Sequence, residues 1–293
     1  MSRIGIAVLW LLHRLLPACA LGALGEGLGL LLYPLAGSRR HVGLTNLRLC
    51  FPELDEPGLK RLLRAHFRAL GRATLQEGVS WWGSRKAVEA LTRIEGVEHL
   101  TPHLGKPLIW FAPHFVGLNI GGVRVTAGYA PVVSLYAAIK NPVISRLMLH
   151  ARTRFSQGER RSEMYSRQDG IKPVIRAVRK GLPFYYLPDQ DFGRRDAVFV
   201  PFFGTPAATV TGLSRIARAT GAVVVPCITR QEGCGYVTRF YPAWDNFPTD
   251  DVAADTRRMN AFLEQRIREI PAQYFWLHKR FKTRPEGEAS LYV

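Results

Sequence analysis

His114 is the first residue of this chain whose type and setting suggest chemistry. It stands in the segment Phe-Ala-Pro-His-Phe-Val-Gly-Leu-Asn, residues 111–119, directly after an apolar run. Catalytic side chains of α/β proteins commonly lie where a strand ends and a helix begins. A histidine there can take a proton from a hydroxyl, because an unperturbed pKa of roughly 6.5 leaves the ring mostly neutral at cytosolic pH. A purely structural role is the alternative, since the chain has eight histidines.

Two carboxylates form a second candidate cluster. Asp189 and Asp191 follow the apolar run 184–187 in the sequence Asp-Gln-Asp. If this run and the one before His114 are parallel strands, the carboxylates lie at the same edge of the sheet as the histidine. Metal binding is the other use of such residues, but two carboxylates without a nearby third ligand make a poor site, so we expect no metal. Capping of a loop is the structural alternative.

Short apolar runs and helical patterns alternate along the chain and supply the elements that would position these groups. Buried strands are predicted at 107–112, 132–137, 184–187 and 222–225. Helices are predicted at 56–82, where one face is basic, and at 141–155, 171–180 and 209–219, with Thr209 as a cap. This alternation predicts an α/β fold, in which one domain has a central mixed, largely parallel sheet flanked by helices.

The N-terminal segment predicts a membrane anchor. Residues 4–36 are overwhelmingly Leu, Ala, Gly and Ile, interrupted by His13, Arg14 and Glu26. The stretch 15–33 is long enough to cross a bilayer, although its glycines and Glu26 fit a shallow interfacial helix equally well. A signal peptide fits less well, because His13 and Arg14 would lie inside its apolar core.

The domain organisation follows from this anchor. We expect a membrane anchor at 1–36 and one catalytic domain at 37–293, because no long linker or repeat divides the remainder. Arg39, Arg40 and Arg48 follow the anchor, so the positive-inside rule places the remaining chain on the cytoplasmic side.

Charge and cysteine content restrict the partners and the compartment. Forty Lys plus Arg against 23 Asp plus Glu give a net charge of +17, which favours a polyanionic partner such as nucleic acid, an anionic membrane, a phosphorylated lipid or an acidic protein. The apolar N-terminus and the lack of a recognised binding motif argue against nucleic acid. Four scattered cysteines predict neither a disulfide framework nor a zinc site, which indicates a reduced, cytosolic body.

Several long segments resemble, in the right order, the late acyltransferases of lipid A biosynthesis. They are His114-Phe115 after an apolar strand, Leu-Pro-Asp-Gln-Asp-Phe-Gly at 187–193, the apolar run 198–204, Trp-Leu-His-Lys-Arg-Phe-Lys at 276–282 with the residues up to 286, and the earlier segments 46–53 and 77–82. The resemblance implies a single-pass or monotopic enzyme on the cytoplasmic face of a Gram-negative inner membrane. It implies transfer of a fatty acyl chain from an acyl carrier protein thioester to a hydroxyl of a Kdo-lipid A precursor, without metal or cofactor. Another lysolipid or an aminolipid is the alternative acceptor, and a basic membrane- or nucleic-acid-binding protein is the alternative outside enzymes.

The resemblance also assigns site residues, with one departure. The family carries His, four residues, then Asp or Glu, but here the fifth residue after His114 is Asn119. An amide can accept a hydrogen bond from the ring and orient it, yet it cannot offset the charge of an imidazolium. We therefore expect reduced activity, unless another carboxylate, Asp189 or Asp191, serves the ring.

Three arginines match arginine positions of the family. Arg152, Arg154 and Arg167 are expected to bind the lipid phosphates, since a guanidinium donates two parallel hydrogen bonds. The Asp-Gln-Asp element would shape the site and hold these basic residues. A solvated surface or an internal ion pair is the alternative for each arginine, and the run 198–204 fits an acyl-chain groove or plain core packing. No serine nucleophile elbow is present, which favours direct transfer over an acyl-enzyme.

Overall fold

The protein is described by a computed structural model that covers residues 3–137, 141–156 and 161–292. The helices within these ranges are α1 (Arg3–Leu15), α2 (Ala18–Leu35), α3 (Gly37–Cys50), α4 (Glu56–Trp82), α5 (Arg85–Leu91), α6 (Leu118–Gly128), α7 (Pro142–Thr153), α8 (Lys172–Arg179), α9 (Gly212–Thr220) and α10 (Val252–Glu269). The strands are β1 (Thr92–Glu95), β2 (Leu108–Phe111), β3 (Val133–Tyr136), β4 (Glu163–Ser166), β5 (Phe184–Tyr186), β6 (Ala197–Phe202), β7 (Thr205–Val210), β8 (Val223–Glu232) and β9 (Gly235–Phe240).

One mixed sheet organises the domain. Its strand order is β1-β9-β8-β2-β5-β3-β4, and β8 and β9 form its antiparallel pair while its other described neighbours run parallel. All four residues of β2 are buried, as expected for a strand with parallel neighbours on both sides and helices on both faces. The predicted α/β class, with a largely parallel sheet flanked by helices, is therefore confirmed.

Local signals explain most element boundaries. Asp55 caps α4 by accepting a hydrogen bond of 2.7 Å from the backbone N–H of Gly58, and α4 covers the predicted range 56–82. Asn141 caps α7 in the same way, with Pro142 at its first position, where a missing N–H costs nothing. The four predicted strands are confirmed as β2, β3, β5 and the start of β8.

The segment before α9 differs from the sequence-based expectation. The predicted helix 209–219 begins only at Gly212, because residues 197–210 form the antiparallel hairpin β6–β7. Thr209 is thus a buried strand residue and not a helix cap, and its hydroxyl accepts a hydrogen bond of 2.7 Å from Arg280. In the run 198–204, Val200 and Phe202 are buried in the protein interior, whereas Phe199 is exposed. No residue of this run lines the cavity described below, so the structure supports core packing for its buried members and not an acyl-chain groove.

Helix α2 packs closely against α4 through glycines. A Cβ atom added to Gly29 would lie 2.1 Å from the carbonyl oxygen of Phe67, and one added to Gly25 would lie 2.5 Å from that of Gly71. Likewise, a Cβ atom added to Gly71 would lie 2.2 Å from the carbonyl oxygen of Gly25. The helices can approach this closely only because these positions carry no side chain.

Polar and covalent contacts fix the same helix. Glu26, the charged residue within the apolar stretch, pairs with Arg68 of α4 at 2.6 Å. Cys19 and Cys234 form a disulfide between the start of α2 and the β8–β9 turn, whereas the sequence predicted a reduced body without a disulfide framework. The two residues are 215 positions apart, so the sequence could not show that the packing of α2 brings them together.

The outer surface of the first two helices is apolar. Exposed side chains on α1 and α2 include Ile4, Trp10, Leu15, Leu31 and Leu35. Among the described residues, α2 is the helix that is long and apolar enough to cross a membrane, with a mean hydropathy of 1.5 over its 18 residues. The division into an anchor at 1–36 and a catalytic domain at 37–293 stays a prediction about role, because α2 packs directly on α4.

The α2–α4 contact predicts a sharp difference between two neighbouring glycines. Gly29→Ala should lower the free energy of unfolding by about 1–3 kcal/mol, because the new methyl group meets backbone that cannot rotate away. Gly27→Ala should be neutral or stabilising, since a Cβ there has no neighbour within 4 Å and alanine favours the helix. Thermal unfolding of both variants in detergent checks this. Equal stability of the two would contradict the close packing.

Candidate active site

The turn that carries His114 is held between β2 and α6. The backbone carbonyl of His114 accepts a hydrogen bond of 2.9 Å from Phe275, and the N–H of Val116 donates to Gln273 at 2.9 Å. Residues 273–275 therefore fix the turn by backbone hydrogen bonds. This support leaves the histidine side chain free to face a cavity while its backbone stays in place.

Asp189 is the carboxylate that contacts His114. Its Oδ1 lies 2.7 Å from Nδ1 of the ring, and its Oδ2 accepts a hydrogen bond of 2.9 Å from the backbone N–H of His114. The two residues meet because β2 and β5 are parallel neighbours whose carboxyl ends share one edge of the sheet. The prediction that Asp189 lies at the same edge of the sheet as His114 is therefore confirmed. Its carboxylate contacts the histidine and none of the predicted phosphate-binding arginines, and it lies outside the cavity lining, so the structure does not support its predicted substrate contact.

The electrostatics of the pair determine which ring nitrogen can react. Asp189 is fully buried, and burial alone would raise its pKa. The charge of His114 and the hydrogen bonds from its ring and backbone outweigh burial and hold the pKa of Asp189 below its ordinary value. An ionised carboxylate only accepts hydrogen bonds, so Nδ1 carries a proton and Nε2 is the basic nitrogen of the neutral ring.

Asn119 does not orient the ring, which corrects the expectation from the family pattern. It is the second residue of α6, and its Oδ1 accepts a hydrogen bond of 3.1 Å from Arg152 of α7. Its Nδ2 faces the sulfur of Met148 at 3.9 Å. Asn119 still lines the same cavity as His114, so the two residues share a site without forming a pair.

Asp191 has a different role from its neighbour Asp189. Its carboxylate accepts hydrogen bonds from the backbone N–H of Gly193 at 2.9 Å and from the N–H and hydroxyl of Thr283 at 2.6 and 2.8 Å. Its own N–H donates to Nε2 of His278. Its side chain is 2% exposed and lies outside the cavity lining, so the structure does not support its predicted substrate contact.

The three predicted phosphate-binding arginines are separated in space. Arg152 lines the cavity beside Asn119, and Arg167 lines it elsewhere with its guanidinium 4.0 Å from the ring centroid of Phe192. Arg154 lies outside the lining: it donates to the carbonyl of Val79 at 3.1 Å and stacks on Phe155 at 4.1 Å. The structure thus supports a cavity position for two of the three.

The cavity has a volume of about 1190 Å³ and is bounded by two kinds of surface. Residues of α6, α7 and the strands β3 to β5 give mainly apolar walls, including Leu118, Thr126, Val132, Met148, Leu149 and Met164. The loop after β5 and the start of α9 give polar walls, including Gln190, Arg195, Thr211 and Arg215. Within the described ranges, no group of three or more His, Cys, Asp or Glu residues could hold a metal ion.

Sequence reasoning missed several of these lining residues. Arg195 and Arg215 reach the cavity from the segment after Asp-Gln-Asp and from α9, and Tyr185 donates its hydroxyl hydrogen to the carbonyl of Leu118 at 3.0 Å. Arg195 is close in sequence to the predicted carboxylates, which was an available signal. Arg215 had no such signal, because its position depends on where α9 begins.

Comparisons with known proteins identify the family of this chain. A family model described as bacterial lipid A biosynthesis acyltransferase matches residues 2–283. The chain is 35% identical over 294 residues to the lipid A biosynthesis lauroyltransferase of Escherichia coli (strain K12), covering 99% of this chain and 94% of that protein. It is 31% identical over 294 residues to the palmitoleoyltransferase of the same strain, with coverage of 99% and 93%.

A solved structure is also similar, at a lower level. The 1-acyl-sn-glycerophosphate acyltransferase PlsC from Thermotoga maritima matches with 14% identity and a TM-score of 0.38, over 80% of this chain and 99% of that one. Values this low support no inference about function.

The class that the sequence relationship defines is an acyltransferase of lipid biosynthesis. The chain belongs to the bacterial lipid A biosynthesis acyltransferase family. This membership supports acyl transfer onto lipid A and an O-acyltransferase as its enzyme class.

The contact between His114 and Asp189 predicts the effect of Asp189→Asn alone and in combination with Asn119→Asp. Asp189→Asn should lower turnover by about two to four orders of magnitude, the larger figure being the loss seen when the equivalent aspartate of a serine protease is replaced. Adding Asn119→Asp should not restore the rate, because that side chain faces Arg152 and not the ring. Turnover of purified single and double variants, with thermal unfolding as a check on folding, tests both points. Restoration by the double change would mean that position 119 serves the ring.

Proposed function

We propose that this protein moves a fatty acyl chain from an acyl carrier protein thioester to a hydroxyl of a phosphorylated Kdo-lipid A precursor, with His114 as the general base. The observation that carries the proposal is the pair of His114 and buried Asp189 at a large, partly apolar cavity. Family membership supports the lipid A acceptor. The donor and the role of each residue are part of the proposal.

The reaction balances without a cofactor. Nε2 of His114 takes the proton of the acceptor hydroxyl as its oxygen attacks the thioester carbonyl, which forms the new C–O bond and a tetrahedral oxyanion. Collapse of this intermediate breaks the C–S bond, and the leaving thiolate takes the proton from the imidazolium. Asp189 stabilises the imidazolium between these two transfers and keeps the ring in the tautomer that leaves Nε2 basic.

Arg152 is the group we assign to the oxyanion. It is a cation that lines the cavity, and burial lowers its pKa. A cation placed before the reaction stabilises developing negative charge without reorganisation, which is the largest single contribution in many enzymes.

The two kinds of cavity wall suit the two kinds of substrate group. The apolar walls from α6, α7 and β3 can bury the fatty acyl chain, and this burial favours binding in proportion to the area removed from water. Arg167, Arg195 and Arg215 can bind phosphate groups at the polar end, where their guanidinium groups donate paired hydrogen bonds.

A position at the cytoplasmic face of the inner membrane is consistent with the surface of α1 and α2. Their exposed leucines, with Trp10, form an apolar area of the kind that enters lipid. Arg39 and Arg40 of the adjoining α3 provide positive charge for anionic headgroups. The acceptor and the acyl product are themselves lipids, so a membrane-bound enzyme meets both without extracting them into water.

Replacement of the base is the first test of this function. His114→Ala should lower acyl transfer by about two to four orders of magnitude, because general-base catalysis is removed while the fold is kept. His103→Ala is the matched control, since His103 lies in the turn before β2, at the other end of the strand from the site. Transfer is measured with purified acyl carrier protein thioester and acceptor, and by mass spectrometry of lipid A from a host with each variant. Transfer to a lysolipid or aminolipid alone would favour the other acceptor class.

Replacement of Arg167 tests the polar end of the cavity. Arg167→Ala should raise the KM for a phosphorylated acceptor by about tenfold, the loss of one charge-assisted contact, with little change in kcat. The KM for the dephosphorylated acceptor should stay the same. Arg176→Ala is the control, because Arg176 is an exposed arginine of α8 outside the cavity lining. An equal effect of Arg167→Ala on both acceptors would exclude phosphate binding by this residue.

A further inference from the structure

The cavity extends from His114 along helix α6 for two turns. The α6 residues that line it are Leu118, Asn119, Gly122 and Thr126, whose spacing of three and four positions places them on one face of the helix. From Leu118 to Thr126 the helix rises about 12 Å, at 1.5 Å per residue. The cavity is therefore much longer than the immediate surroundings of the histidine.

Strand β3 gives the same length and direction independently. Val132, directly before the strand, and Tyr136, at its end, both line the cavity. Four positions along a strand correspond to about 13 Å. Because β3 and β2 both run parallel to β5, the start of β3 lies at the sheet edge opposite His114. The cavity thus runs from the catalytic edge of the sheet to the opposite edge.

The deep branch is the part of the cavity beyond Asn119, and its lining residues are Gly122, Thr126, Val132, Ser134, Met164 and Tyr185. Thr126, Val132 and Ser134 are each 4% exposed, whereas the side chain of His114 at the other end is 21% exposed. Exposure falls with distance from the histidine. The described residues therefore close this end of the cavity to solvent.

The hydroxyl groups of the deep branch are bound to backbone. Thr126 Oγ1 lies 2.9 and 3.1 Å from two carbonyl oxygens of its own helix, and Ser134 Oγ donates to a carbonyl of β5 at 2.9 Å. The Tyr185 hydroxyl donates to the carbonyl of Leu118 at 3.0 Å. Each hydroxyl has one hydrogen, which is used in these contacts, so none is left to donate to a ligand. The deep branch therefore offers apolar surface to whatever enters it.

A single alkyl tail is the ligand that suits a closed apolar space of this length. One leaflet of the hydrocarbon core of a bilayer is roughly 15 Å thick, so a branch of about 12 Å holds most of one fatty acyl tail. The carbonyl of a thioester is the first carbon of its acyl chain, so the chain leads away from His114 in one direction, as the deep branch does. The acceptor hydroxyl belongs to a large phosphorylated lipid, whose charged groups would lose their water in such a space.

Gly122 stands at the entrance to the deep branch. A Cβ atom added there would lie 3.4 Å from Cζ of Tyr185, which is an ordinary contact distance, so packing alone would accept an alanine. At neighbouring Gly121 a Cβ would lie 1.9 Å from Oγ1 of Thr229, so packing does require that glycine. Glycine is less favourable than alanine within a helix. The open passage between α6 and the Tyr185 ring is the reason for glycine at position 122 that the structure offers.

We propose that the deep branch holds the acyl chain of the donor thioester and that Gly122 determines the longest chain that the enzyme transfers. The missing side chain lets the acyl chain pass between α6 and Tyr185. Thr126, Val132 and Met164 then form the end that the chain meets. This inference rests on the proposed function for the identity of the donor.

The first experiment measures kcat/KM of the full-length protein in detergent with a series of acyl carrier protein thioesters from hexanoyl to hexadecanoyl. In Gly122→Leu the value for dodecanoyl and longer chains should fall by about 50-fold or more, because each methylene denied its place costs about fourfold. The value for hexanoyl should stay within about threefold, since that chain ends before the block. Thr126→Leu, one turn deeper, should shorten the longest accepted chain by less. Gly128→Ala, at an exposed position of α6 outside the lining, is the control and should keep the preference of the wild type.

The outcome is decided by chain length and not by overall activity. An unchanged chain preference in folded Gly122→Leu overturns the proposal, and so does a larger effect of Thr126→Leu than of Gly122→Leu. If Gly122→Leu does not fold, Gly122→Ala decides, because its methyl group fits: the ratio of the hexanoyl to the hexadecanoyl value must rise by about threefold or more. In a parallel series the acceptor chain length is varied with one donor. A Gly122→Leu effect confined to the acceptor series overturns the proposal, since the acceptor tail then occupies the branch.

A second measurement does not depend on transfer. A ligand that binds the folded state raises the midpoint of thermal unfolding. Free dodecanoic acid should therefore raise the midpoint of the wild type and not that of Gly122→Leu, and equal shifts overturn the proposal. If the wild type acylates no lipid A precursor but shows this difference, the proposed function is wrong and the deep branch is an acyl-chain site. If transfer proceeds and neither experiment distinguishes Gly122→Leu from wild type, the proposed function stands and the inference about Gly122 is wrong.

Discussion

The parallel pairing of β2 with β5 is the constraint on which the site depends. It places the turn after β2 and the loop after β5 at one edge of the sheet, and the hydrogen bond of 2.9 Å from Ala112 to Tyr186 continues the pairing to within two residues of His114. Asp189 reaches the histidine because both chains leave the sheet in the same direction. A shift of one residue in this register would turn either side chain to the opposite face of the sheet. The strand pairing therefore fixes the contact between His114 and Asp189, and the helices contribute the walls of the cavity around this pair.

Helix α4 joins the first two helices to the helices of the cavity. It packs against α1 and α2 and also contacts α6 and α7, which line the cavity. Gln76 of α4 donates hydrogen bonds to the carbonyls of Ala18 and Cys234 at 2.8 and 3.1 Å. One rigid element therefore contacts both the apolar N-terminal helices and the helices that bound the cavity.

The fold class could be predicted from the sequence because buried parallel strands leave continuous apolar runs. His114 and the carboxylates after β5 could be predicted for the same reason, since strand ends are recognisable. The partner of the histidine was harder to predict from the sequence. The family pattern points to the fifth residue after His114, which is Asn119. The residue that contacts the ring, Asp189, lies 75 positions away in the sequence, and only the pairing of the strands brings it close.

The residues that complete this site lie near the end of the chain and are synthesised last. The segment 273–283 holds the His114 turn through Phe275 and binds Asp191 through Thr283, and Asn46 of α3 donates to the carbonyls of Trp276 and His278 at 2.7 Å. All strands of the sheet and both N-terminal helices are synthesised before this segment. The histidine turn and α3 therefore lack these partners while the rest of the sheet is already available to fold. The site gains its described geometry only after residue 283 has left the ribosome.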